Sequence, residues 1–188
     1  MLNSKQYSGI RRCIMSEFRR RLMMAAVQGG EIPKVRHTVT FIPSSYDTEN
    51  YSWESAQNIS NGYTHSTSTT LAKFGIPMKG TAYVYYKFDT SSIPDGADII
   101  SVSCDAKLGI NGNSTTTPEK KVQMFTGTTA KGSAVNVSST ASIKTMNDAT
   151  WTLAEVRDIR VRPYARCNTT AQYYISFYGA DLTIVYEV

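Results

Sequence analysis

Cysteine, histidine and long apolar runs are all scarce in this chain of 188 residues. Its three cysteines, Cys13, Cys104 and Cys167, are odd in number and show no CxxC spacing. That argues against a disulfide framework and predicts one core thiol with two partly exposed ones. The two histidines, His37 and His65, stand at no ligand spacing from cysteines or acids, so no metal site is expected. No GxSxG, Walker loop, GxGxxG or EF-hand pattern occurs, which leaves no catalytic residue and no cofactor to assign. The carboxylates fall mostly in turns and on outward strand positions, an arrangement for solvated surface and not for glycoside hydrolysis. An enzyme is therefore not expected. The longest apolar run, Leu22 to Val27, is six residues, too short for a signal-peptide core or a membrane span. No repeat of a solenoid or propeller period is visible.

What is abundant points to strands. There are 12 tyrosines among many serines and threonines, and the apolar fraction of 41% suits a globular protein. The net charge of +5 is unevenly spread: residues 1–36 carry eight basic and two acidic side chains, leaving the remainder at −1. Basicity thus belongs to the leading segment, and the rest is electrically ordinary. A nucleic-acid partner is not expected, since apart from Phe18 no aromatic or base-reading residues accompany the arginines.

That leading segment predicts an amphipathic helix. Ser8 caps it, Gly29 and Gly30 end it, and Ile10, Ile14, Phe18 and Leu22 form one apolar row. A lone helix of ~20 residues is marginal in water unless its face is buried. It can fold back, lie on an anionic membrane surface, or seat itself in a groove of a larger particle. The last reading is preferred: Ile10, Ile14, Phe18, Leu22 and Met23 enter the groove while Arg19, Arg20 and Arg21 grip its rim. Residues 1–34 are read as anchor and linker, because "GGEIPK" cannot continue a helix.

From residue 35 the period becomes two. Strands are predicted over 35–42, 50–60, 81–88, 97–110, 120–127, 133–139, 141–146, 159–166, 172–179 and 181–188, separated by Pro, Asn, Asp and Gly turns. In 97–110, Ile100, Val102, Cys104, Ala106, Leu108 and Ile110 share one face. "TLAE" (152–155) is a capping box that predicts one helical turn. Roughly nine or ten short strands with almost no helix predict an all-β chain: an antiparallel sandwich of jelly-roll type over 35–188, preceded by the helix. Trp53, Tyr85 and Tyr174 are candidates for a glycan or subunit contact. So are Arg160, Arg162 and Arg166, which share one side of their strand.

"YVYYKFDTSSIPDGADIISVSCDAKL" (83–108) resembles a sandwich segment recurrent in minor structural proteins of tailed bacteriophages. It also resembles cell-surface domains of the disaggregatase-related (DNRLRE) type. "QMFTGTTAKGSAVNVSS" (123–139), "WTLAEVRDIRVRPYARCNTT" (151–170) and "YYISFYGADLTIVY" (173–186) resemble the rest of the phage form, and "FRRRLMM" resembles its leader segments. The resemblance implies a head- or tail-appendage protein of the virion, assembled in the host cytoplasm and held to capsid or tail proteins by the N-terminal helix. It implies a homo-oligomer, and no catalytic residues. The alternative is a carbohydrate-binding module that contacts host-surface glycans.

Overall fold

Two long strands, β7 (Asp98–Ile110) and β12 (Tyr173–Glu187), run antiparallel side by side, and the other elements are laid around them. The computed structural model describes residues 33–63, 71–113, 115–148 and 150–188. The expected N-terminal helix, with its anchoring residues Ile10, Ile14, Phe18, Arg19, Arg20, Arg21, Leu22 and Met23, lies outside the described residues.

The first sheet has six strands. β10 (Ser142–Asp148) borders β7, and the far edge of β12 is shared by β1 (Arg36–Phe41) and β4 (Ala72–Ile76). β3 (Ala56–Gln57) closes that end beside β4. The second sheet, also of six strands, is ordered β2 (Pro43–Tyr46), β6 (Tyr86–Phe88), β11 (Ile159–Arg166), β8 (Glu119–Thr126), β9 (Thr129–Asn136), with β5 (Thr81–Tyr83) beside β11. Every pairing is antiparallel, so the chain is an all-β, two-sheet sandwich.

Each inner face follows the period of two. Val102, Cys104, Ala106, Leu108 and Ile110 of β7 are buried, as are Ile159, Val161 and Ala165 of β11. Between the sheets Tyr86 stacks on Phe177 at 4.4 Å and meets Phe74 edge-on at 6.1 Å. Its hydroxyl donates to the Ile59 carbonyl at 3.3 Å, in the 3-10 turn Ile59–Tyr63. Burial first, then the Tyr63 and Tyr46 rings, pushes that phenol well above its usual pKa. Gly62 belongs to the same arrangement, since a Cβ there would lie 2.5 Å from the Tyr86 hydroxyl.

The capping box forms as expected. Thr152 N donates to Glu155 at 2.8 Å and Glu155 N to the Thr152 hydroxyl at 3.3 Å, which starts α1 (Leu153–Val156). Several expectations are corrected. The runs at 172–179 and 181–188 are one strand: Gly179 is not a turn but sits at a bulge, with φ +129°. Its extra residue shifts the inward set from Ile175 and Phe177 to Ala180, Leu182 and Ile184. A second irregularity ejects Ile100, which is 36% exposed instead of sharing the buried face of β7. Segment 81–88 breaks into β5 and β6, whereas β2 and β4 arise where no strand is expected. Cys104 and Cys167 are both fully buried, the latter because its Sγ turns back to the Thr169 carbonyl at 3.4 Å. Cys13 lies outside the described residues.

Replacing Tyr86 by Ala is expected to cost about 3–5 kcal/mol in urea unfolding, and Tyr86→Phe about 1 kcal/mol. Equal losses for the two variants would mean that the ring's packing contributes nothing.

Candidate functional site

The arginines singled out in the sequence share the outer face of the second sheet. Along β11 the inward Ile159, Val161 and Ala165 fix Arg160, Arg162, Tyr164 and Arg166 on the opposite side. The register sets Phe125, Gln123, Lys121 and Glu119 of β8 directly across from these four. On the other flank Lys87 faces Arg160 and Tyr83 faces Tyr164. Tyr85 lies between them, under Arg162. The result is a layer in which rings and cationic heads alternate.

Most of the cations are paired. Arg160, with its side chain 11% exposed, bonds Asp47 and reaches Asp158 at 2.8 Å. Lys87 stands 3.8 Å from Asp47. Arg166 and Lys121 both reach Glu119, at 3.3 and 3.4 Å. Arg162 differs: among the described residues it meets no carboxylate. Its Nη1 donates to the Tyr85 hydroxyl at 3.1 Å, and its Nε is buried without a partner. Rings enclose the guanidinium, with Phe125 at 4.2, Tyr164 at 5.3, Tyr85 at 5.5 and Tyr83 at 5.7 Å. Lys87, Lys121, Arg160 and Arg166 thus share Asp47, Glu119 and Asp158, and with Arg162 added these side chains keep a positive excess.

Asp47 holds one end of this layer. Burial raises its pKa, but hydrogen bonds from Glu49 and Asn50 and the charge of Lys87 outweigh burial and hold it at about 2. Its carboxylate accepts from Glu49 N at 3.0 Å and Asn50 N at 3.2 Å, so one group shapes the turn after β2 and orients Arg160.

The aromatic candidates fall in three places. Tyr85 is 4% exposed, so it cannot stack on a ligand and instead supports Arg162. Trp53 sits where residues 52–55 bridge from Tyr83 of one sheet to Gly75 of the other. One face of its ring is taken by Tyr51, stacked at 3.9 Å, and it also packs on Phe74. Tyr174 lies on the outer face of the first sheet, in a groove of about 380 Å³ lined with Gln57, Lys73, Asn111 and Ser176. Parity along β11 could have flagged Tyr164. Phe125 carried no such signal, because its neighbour Met124 is buried on the other side. Among the described residues no group of three or more His, Cys, Asp or Glu could hold a metal ion, and no helix is long and apolar enough to cross a membrane.

No protein-family model matches the sequence, and no curated protein matches it. Among solved structures the chain is similar to a xylan-binding module CBM15, at 12% identity and a TM-score of 0.37, over 81% of this chain and 97% of that one. A likeness at that level identifies neither a fold family nor a ligand.

Asp47→Asn is expected to cost about 2 kcal/mol at neutral pH. A folded pKa of about 2 lies below the ordinary 3.8, so the stabilisation is complete above the latter and disappears as pH falls toward the former. Thermal melts of both proteins between pH 7 and pH 2 should converge at the acid end. A gap that stays constant with pH would rule out the charge as its cause.

Proposed function

We propose that this chain is a structural protein of a bacteriophage virion, in which the basic leading segment attaches to capsid or tail and the sandwich is displayed outward. The single observation that carries this reading is the charge division: the first 36 residues hold eight basic and two acidic side chains, while the remainder nets −1. A body with no charge excess has little electrostatic attraction for a particle surface, whereas a basic amphipathic segment has both charge and an apolar row to insert. The stretches that resemble phage appendage proteins supply β6, β9 and β11, most of β7 and β12 and part of β8, hence much of both sheets. The sandwich is of jelly-roll type in this reading. The virion is its location, assembly takes place in the host cytoplasm, and copies associate so that weak anchor contacts multiply.

A second reading, a glycan-binding adhesin module, is favoured by the Tyr174 groove. One ring bordered by Gln57, Lys73, Asn111 and Ser176 offers a stacking surface with hydrogen-bonding groups around it, as a sugar requires.

Deleting residues 1–30 should leave a folded chain with unchanged strand content by circular dichroism, absent from purified particles. Normal incorporation of the truncated chain would overturn the attachment reading. On a glycan array, Tyr174→Ala should lower binding at least tenfold; an unchanged profile would remove the groove from consideration.

A further inference from the structure

We infer that the outer face of the second sheet binds an acidic polysaccharide, and that Arg162 takes the carboxylate of a uronic-acid unit there. This deepens the glycan-binding reading and rests on it, but concerns the sheet opposite the Tyr174 groove. The first support is the unspent charge. A guanidinium held half-buried without a carboxylate partner gives up hydration and receives only ring contacts and one phenol in return. Arg162 is only partly buried, and its Nη2 donates to no group among the described residues, so it can donate to an incoming anion.

The second support is preorganisation. The Phe125 and Tyr85 rings beneath the guanidinium and the Tyr85 hydroxyl that accepts from Nη1 restrain it, so little side-chain entropy remains to be lost when a planar carboxylate docks. The Tyr164 ring centroid lies 5.3 Å from the Arg162 guanidinium and 4.7 Å from the Lys121 ammonium. A sugar ring laid across Tyr164 would meet both cations.

The third support selects a saccharide over a protein. The centre of a stable protein interface is depleted of Lys, Asp and Glu, whereas this face sets Lys87, Lys121, Glu119 and Asp158 among its arginines. Among the described residues the exposed large hydrophobics, Val35, Ile42, Tyr51, Met78, Ile100, Ile143 and Val188, all lie off β5, β6, β8, β9 and β11. The face offers ring surfaces and cationic heads, which match an acidic sugar polymer and not an apolar peptide.

The test is calorimetric titration of the full chain with polygalacturonate, its methyl ester and poly-glutamate, at about 0.15 M salt. Polygalacturonate should bind at least tenfold more tightly than either of the others. Arg162→Gln should lose at least tenfold in affinity with an unchanged thermal midpoint, Arg162→Lys should recover only part of the loss, and Tyr174→Ala should bind like the natural chain. If Arg162→Gln does not fold, Lys121→Gln takes its place, with an expected loss of at least threefold. Both natural and variant chains keep the eight basic residues of the leading segment, so binding equal in the two assigns the polymer to that segment and overturns the proposal. Equal binding of poly-glutamate would show that charge alone is read, pointing to an acidic protein. Binding of neutral glycans through Tyr174, with none of polygalacturonate, would overturn this proposal and leave the glycan-binding reading standing.

Discussion

The pairing of β7 with β12 is the constraint on which the molecule depends. These are the longest strands among the described residues, and their ladder runs from Ile175↔Ile110 to Glu187↔Asp98. Because side chains alternate across a strand, one bulge determines which residues reach the core. At Phe177/Gly179 the inward set of β12 moves from odd to even positions while β7 keeps its own phase. If the same residues paired regularly with no bulge, Leu182 and Ile184 would face water and Asp181 and Thr183 the core. Phe177, on the near side of the bulge, receives Tyr86 of the second sheet at 4.4 Å, which ties the two layers together.

The second sheet inherits its outer face from that core. Ile159, Val161 and Ala165 must point inward, so Arg160, Arg162, Tyr164 and Arg166 cannot. β8, β5 and β6 then place rings and carboxylates around the four. Arg166 is absorbed into an exposed ion pair and Arg160 into a largely buried one with Asp47, while Arg162 is held by aromatic rings instead. The difference between neighbours on one strand is geometric: β8 brings Glu119 opposite Arg166 but Gln123 opposite Arg162.

Where one face of a strand is dry and the other wet, the sequence could be read directly. β7 shows this over most of its length, and the capping box at Thr152 and Glu155 states its own hydrogen bonds. Legibility failed where burial does not alternate. In β4, Phe74, Gly75 and Ile76 are all buried because Ser55 covers Gly75, so no period of two appears. Gly179 looked like punctuation and is a bulge inside a strand. The arginine row was visible by parity, but the burial of Phe125 and Tyr85 on an outward face was not, since it depends on Arg162 lying over them.

In the proposed reading a basic segment attaches and a near-neutral sandwich is displayed, a division of labour that follows the distribution of charge along the chain. It is tested most directly by labelling lysines on intact particles with an amine-reactive reagent and comparing Lys5 with the exposed Lys79. Lys79 should be modified equally on the particle and on the free chain, while Lys5 is protected on the particle alone. Equal modification of Lys5 in both would contradict attachment through the leading segment.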